Sequence, residues 1–390
     1  MRRVIGIVTV ARSDYGHLTP LLKEIAHDPD LKLLLFVGGG HLVERFGATV
    51  RLIEADGFKI AERVPMHEDS DAPEAVAHAL GNGVSGFADA LTRTRPDLLV
   101  VLGDRFEMLA AVLAALPLAL PVAHLHGGEV TEAAIDEQCR HAISKLAHLH
   151  FPAAEPFARR LRQMGEEAWR VHCCGAPGLD RFGSLDYLPR PALAERLGLP
   201  LRRPAVLVTF HPPTLGGADV AAQAEELLAA LARVDGTLVL TYPAADTGSH
   251  AIIERLERFA ASTPCARVAR SLGDDVYASL LREADVMVGN SSSGLIEGPT
   301  FALPVVNIGD RQRGRLRAAN VLDVGHGRDE ILAGIRRALD PPFRRSLQGL
   351  VNPYGDGHAA PRIARVLREV ELGPRLLVKR FADAPSNLVL

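Results

Sequence analysis

The sequence predicts an α/β protein made of two Rossmann-like, doubly wound parallel-sheet domains. Three observations lead there. At 390 residues the chain is too long for one core of ordinary size and suits two domains of about 200 residues or fewer. Each half carries a series of short apolar runs, each followed by a helical pattern. Between the series the texture changes, with a proline-rich stretch from Gly178 to Pro204.

In chain order the first series is "VIGIVTV" (4–10), "KLLLFVGGG" (32–40), "DLLVVLG" (97–103), "PVAHLHGG" (121–128), "HLHF" (148–151) and "RVHCCG" (170–175). These are continuous apolar runs, not alternations, as expected for parallel strands covered on both faces. The second series is "AVLVTFH" (205–211), "GTLVLTYP" (236–243), "ARVAR" (266–270), "ADVMVGN" (284–290) and "LPVVNIGD" (303–310). We expect one domain over 1–185 carrying the catalytic carboxylates and a nucleotide-binding domain over 190–360. A helix over 361–372 is expected to cross back to the first domain, and 373–390 forms a loosely committed tail.

The composition, 47% hydrophobic and 23% charged, is that of a folded globular protein. A net charge of −3 recommends neither nucleic acid nor an anionic membrane. The four cysteines show no zinc-ribbon spacing, and reduced thiols fit a cytoplasmic protein. The N-terminus runs into Arg12, Ser13 and Asp14 with no cleavage pattern, and no apolar run reaches the roughly 18 residues of a membrane span. The expected location is the cytoplasm.

Polar punctuation falls after the strands, where open α/β sheets bind ligands. Two such rims facing each other would form a cleft between the domains. "VGNSSSGLIEGP" (288–299) offers the backbone amides of Ser291 to Gly294, at a helix N-terminus after Asn290, to an anion, and Glu297 to ribose hydroxyls; it also reads as a serine-rich helix start. Arg12, Arg105 and Arg311 each stand past a strand and together suit a diphosphate, although each alone reads as a solvated arginine paired with its neighbouring Asp. Asp104, Glu129 and Asp136 cluster in sequence around the "HGGE" turn, where burial and like charge raise a carboxylate toward proton-transfer range. For Asp136 the competing reading is i,i+4 pairing with Arg140. The pairs His124/His126 and His148/His150 have the alternation of a strand face, but without matched acids they read as structural, and no metal is expected. His211 leads the second rim and offers a cation or donor to phosphate.

Taken together, "RSDYG", "LGDRFE", "HLHGGEVTEAAIDEQCRHAISKLAHLHF", "FHPPT", "ADTGS", "GNSSSGLIEGP", "NIGDRQRGR" and "NPYGDG" resemble the hydrolysing UDP-N-acetylglucosamine 2-epimerases of sialic and related nonulosonic acid synthesis. The resemblance runs from about residue 4 to 367 in the family's order. It implies the glycosyltransferase-B arrangement of two Rossmann-like halves with a UDP-sugar in the cleft, no cofactor, and a homodimer or homotetramer. It implies removal of the carbon 2 proton, anti elimination of UDP to a 2-acetamidoglucal, and addition of water to give N-acetylmannosamine. By resemblance Asp104, Glu129 and Asp136, with His211, form the catalytic set. Arg12, His41, Arg105, Ser271, Leu272, Asn290, Ser291, Ser292, Glu297 and Arg311 fall at substrate or nucleotide positions, and His211 also matches a UDP contact. One departure is Ala244, where many relatives carry Asn. The same motifs fit enzymes acting on UDP- or GDP-linked N,N′-diacetylbacillosamine, and a glycosyltransferase of this fold is a more distant alternative. Non-hydrolysing relatives carry glutamate–alanine–glycine where "HGGE" stands here.

Overall fold

The computed structural model describes residues 2–44, 47–67, 72–131, 135–212, 219–243, 249–270 and 272–383. The chain divides into two units. One comprises Met1–Val130, Ala134–Gly183 and Tyr354–Leu390, and the other Ser184–Pro353 with Thr131–Ala133. The first thus regains the chain at Tyr354, six residues before the expected boundary at 360.

The first unit holds a six-stranded parallel sheet of β1 (Arg3–Thr9), β2 (Leu31–Gly38), β3 (Ile60–Val64), β4 (Leu98–Leu102), β5 (Val122–Leu125) and β6 (Leu149–Phe151). Their order is β3-β2-β1-β4-β5-β6. The continuous apolar runs follow from two-sided burial. Along β4, Leu98, Val100 and Leu102 enter one apolar layer with Leu18, Leu22 and Ile363, while Leu99 and Val101 enter another with Phe36, Phe87 and Met108. The strand order reverses between β1 and β4, which opens a crevice at their carboxyl ends. Leu102 lies opposite Leu125, so the chain leaves β4 and β5 side by side at that rim.

The second unit repeats the plan with β7 (Ala205–Thr209), β8 (Thr237–Thr241), β9 (Ala266–Ala269), β10 (Val286–Gly289), β11 (Val305–Ile308) and β12 (Val321–Val324), in the order β12-β11-β10-β7-β8-β9. Its switch point lies between β7 and β10. No helix among the described residues is long and apolar enough to cross a membrane.

Three expectations need correction. The stretch 170–175 is not a strand: Ala168–Arg170 is a short 3-10 helix, and only a single bridge joins Val171 to His150. Strands β3 and β12 escaped the sequence reading because both are edge strands and mostly half-exposed, so "IAERV" and "VLDV" lack the continuous apolar run of a central strand. The tail is anchored through Lys379. Fully buried Arg170 donates to the carbonyls of Arg375, Leu376 and Val378, and Lys379 pairs with Glu166 at 2.7 Å. The helix Ala359–Glu369 lies in the first unit, where Ile363 and Leu367 join the layer of Leu18 and Leu22. The Asp180 carboxylate accepts from the first amides of that helix, Ala359 at 2.9 Å and Ala360 at 2.6 Å.

Candidate active site

In the first unit the rim is built at the ends of β1, β2, β4 and β5. After β1 the chain turns at Ala11 into the helix Arg12–His27, leaving Arg12 exposed at its first position. Asp14 folds back: its Oδ2 accepts from Thr9 Oγ1 at 3.0 Å and from the Val10 amide at 2.8 Å, while Oδ1, also buried, has no partner among the described residues. Burial pushes the Asp14 carboxyl up to about 6, against the opposing pull of the Val10 amide and Arg105. His41 is fully buried. Its Nε2 lies 2.9 Å from Thr9 Oγ1 and its Nδ1 2.7 Å from Thr49 Oγ1, and burial lowers it to about 4. A neutral imidazole held by two threonines braces the rim, so the expected ligand contact of His41 would require one of these bonds to break.

The raised Asp14 has a measurable consequence. Its folded value lies above that of the unfolded chain, so the native state keeps a proton that the unfolded chain has released. Stability contributed by this group therefore falls as pH rises from about 4 to about 6 and stays lost above. Asp14→Asn is expected to gain about 1 kcal/mol at pH 8 relative to the parent. The gain should vanish near pH 4, as read from denaturant midpoints.

At the end of β4, Gly103 adopts φ +78° and Asp104 follows it, ion-paired with Arg140 of the helix Ile135–Leu146. Arg140 is almost fully buried and is the residue that sequence spacing assigned to Asp136; the structure gives it to Asp104 instead. Arg105 precedes the helix Phe106–Ala115 and donates through Nε and Nη2 to the two oxygens of Glu107, at 3.1 and 2.6 Å. Glu107 is wholly buried and also meets His67 Nε2 at 3.1 Å. Burial alone would raise the Glu107 carboxyl, but the bonds from His67 and Arg105 hold it below the usual range. Glu107 thus serves as a fixed anchor for the Arg105 guanidinium. Asp136 is raised by burial and by the Glu107 charge, with Arg105 pulling the other way. The rim therefore brings Asp14, Arg105, Glu107 and Asp136 into one electrostatic cluster.

The β5 exit explains the paired glycines. Gly128 has φ +77°, and a Cβ there would lie 2.4 Å from the Phe157 carbonyl oxygen. A Cβ on Gly127 would lie 2.9 Å from His124 Nδ1. The pair lets the turn pack against its neighbours and so presents Glu129, whose Oε1 is 2.6 Å from His126 Nδ1. The other histidines of the two pairs are held inside the protein. His124 bonds the Gly103 carbonyl and Ser144, His148 accepts from the Val122 amide, and His150 bonds Glu166.

In the second unit Asn290, almost fully buried after β10, accepts from the His211 amide at 2.7 Å and donates to the His211 carbonyl at 2.8 Å. It ties the end of β7 to the end of β10, a scaffolding task. Burial, aided by the Arg311 charge, lowers His211 to about 4, so of the two expected roles, cation or donor, the uncharged imidazole near neutral pH suits the donor. Arg311 approaches the Asn290 carbonyl at 3.5 Å. Ser291 and Ser292 are partly exposed ahead of the short helix Ser293–Ile296, and the Ser291 hydroxyl accepts from the Ser293 amide. The Ser293 hydroxyl donates to buried Glu297 and accepts from Tyr277 at 2.7 Å. Glu297 is therefore braced from within the unit. Leu272 precedes the helix Gly273–Glu283 and is partly exposed, whereas Ala244 and Ser271 lie outside the described residues. Sequence reasoning passed over Asp14 and Glu107 as functional residues and read His126 as structural; the two acids sit inside quoted motifs, but only burial distinguishes them from surface acids.

A family model described as UDP-N-acetylglucosamine 2-epimerase matches residues 23–368. A hydrolysing UDP-N,N′-diacetylbacillosamine 2-epimerase of Legionella pneumophila is 37% identical over 379 residues, covering 97% of this chain and 99% of its own. A hydrolysing GDP/UDP-N,N′-diacetylbacillosamine 2-epimerase of Campylobacter jejuni is 37% identical, with 83% and 84% covered. Among solved structures, a UDP-GlcNAc 2-epimerase from Neisseria meningitidis bound to UDP-GlcNAc shares the fold with a TM-score of 0.79 at 17% identity, covering 94% of this chain and 99% of the other.

Proposed function

The chain belongs to the UDP-N-acetylglucosamine 2-epimerase family, and from that premise we propose that it is a hydrolysing 2-epimerase converting UDP-GlcNAc and water to N-acetylmannosamine and UDP. The observation that supports the reading is that Asp104 and Glu129 follow the adjacent strands β4 and β5, while the helix carrying Asp136 pairs with Asp104 through Arg140 and burial raises Asp136 against the pull of Arg105. One carboxylate takes the proton from carbon 2 as the bond from carbon 1 to the diphosphate oxygen breaks and UDP departs, leaving a carbon 1–carbon 2 double bond. Water then adds its hydroxyl to carbon 1 while a proton returns to carbon 2 from the opposite face. Arg105, clamped by Glu107, meets the charge that grows on the leaving diphosphate, together with Arg12. On the second unit Ser291, Ser292, Glu297, Leu272 and Arg311 bind the nucleotide, and uncharged His211 donates a hydrogen bond to it. No cofactor enters this scheme.

A second reading is favoured by the two relatives at 37% identity, both named for N,N′-diacetylbacillosamine nucleotides. Supplying each sugar nucleotide alone and following UDP and free sugar separates them. The first reading expects the larger kcat/KM with UDP-GlcNAc, by about tenfold or more. The reverse ratio moves the function to the second reading. Turnover only when an acceptor sugar is added would contradict both.

A further inference from the structure

His126 is the first residue past β5, and its backbone sits at φ +61°. This left-handed region strains an L-residue with a Cβ, a strain that a glycine would avoid. The other described non-glycine residues with positive φ are Ala48, Arg95, Ala119 and Ala302, three alanines and an exposed arginine. His126 differs in what its side chain does. The ring is mostly buried, and its Nδ1 lies 2.6 Å from Glu129 Oε1. Its Nε2 is buried and has no hydrogen-bond partner among the described residues. Its ring neighbours that of His17, with centroids 6.2 Å apart and planes tilted by 49°.

A carboxylate only accepts, so the short bond places the imidazole proton on Nδ1. In the neutral ring this leaves Nε2 as a bare lone pair, and a buried acceptor with no donor is costly to keep. The strained backbone therefore holds a side chain with one face fixed on a proposed catalytic carboxylate and the other face unmatched. Strain of this kind gathers where a surrounding site over-determines a residue.

We propose that His126 is a two-sided residue of the reaction: Nδ1–H orients Glu129, and Nε2 accepts a hydrogen bond from a hydroxyl or amide N–H donor of the bound sugar. The proposal rests on the function assigned above to this rim. It gives the imidazole a substrate-reading task that the sequence, which pairs His126 with His124 as a structural histidine, does not suggest. No proton leaves His126 in this scheme; it holds the Glu129 carboxylate while Glu129 exchanges protons with the sugar or with water.

Two variants keep the strained turn foldable, because asparagine and glycine both accept the left-handed region. His126→Gly removes both bonds and is expected to lower kcat/KM by about 10- to 100-fold, the worth of hydrogen bonds to charged or reacting groups. In His126→Asn the side-chain amide nitrogen stands near the place of Nδ1, so part of the loss attributable to Glu129 should return while the Nε2 share stays lost. An independent reading comes from the imidazole nitrogens of the 15N-labelled wild type. Nδ1 should carry the proton, and the Nε2 resonance should move on addition of UDP-GlcNAc or UDP-N,N′-diacetylbacillosamine but not on addition of UDP alone. A merely structural His126 would lower the melting temperature of both variants yet leave Nε2 unmoved by either sugar nucleotide, and that result overturns the proposal. Variants within about twofold of the wild type would overturn it equally, since hydrogen bonds of this kind are worth more. A wild type that turns over neither sugar nucleotide contradicts the proposed function instead, and the Nε2 resonance then decides the imidazole's role by itself.

Discussion

Glu129→Gln is expected to lower turnover by about 10²- to 10⁴-fold while UDP binds almost as before. The substitution preserves shape. The glutamine carbonyl oxygen can still accept from His126 Nδ1, which lies 2.6 Å from Oε1 in the parent, so the turn that presents residue 129 keeps its geometry. What is lost is the ability to take or return a proton. Because only the transition state needs that exchange, kcat and kcat/KM should fall together and KM should move little. The step that fails also becomes visible. If Glu129 removes the carbon 2 proton, the variant leaves the nucleotide sugar intact. If it acts on water, UDP and the unsaturated sugar accumulate. Either pattern assigns Glu129 its step; undiminished turnover would remove it from the mechanism.

Glu166→Leu is the largest expected effect on stability. Glu166 is fully buried and is met by Lys145 at 2.7 Å, His150 at 2.9 Å and Lys379 at 2.7 Å. Burial alone would raise its carboxyl, yet the bonds from His150 and the two lysines hold it near 2. A carboxyl whose folded value lies below that of the unfolded chain contributes stability above pH 4.5 that is lost as pH falls toward 2, about 3 kcal/mol in all. Leucine leaves Lys379, mostly buried, without its counter-charge, and removing one partner of a buried pair costs about 3–5 kcal/mol. Lys379 belongs to the anchored tail, so residues 373–383 should detach first. The expected result is a lower denaturant midpoint with early proteolytic cleavage near Lys379. An unchanged midpoint would mean that the lysines reach water at little cost.

The central strands were legible because burial on both faces leaves a direct compositional mark, as in "LLVVL" of β4 and "AVLVT" of β7. Edge strands β3 and β12 were not, since half-exposed residues admit charges that interrupt the run. The candidate site divides in a similar way. Residues that stand just past a strand, such as Asp104, Glu129 and Arg105, announce themselves by position. Pairings across the fold do not. Nothing in spacing sends Arg140 to Asp104 in preference to Asp136, one turn away on its own helix. Nothing in "DRFE" marks Glu107 as a buried anchor, and "HLH" hides that its second histidine leaves the strand in a left-handed turn. His41 and Asn290 stand where a ligand contact is expected, and spacing does not show that their side chains also brace the rims.

The most direct test of the proposed reaction is turnover of UDP-GlcNAc in heavy water, followed by proton NMR. Elimination and re-addition predict free N-acetylmannosamine carrying deuterium at carbon 2 and appearing in step with UDP. Hydrolysis that retains the original carbon 2 proton, or a sugar of unchanged configuration, would contradict the mechanism argued for Asp104, Glu129 and Asp136.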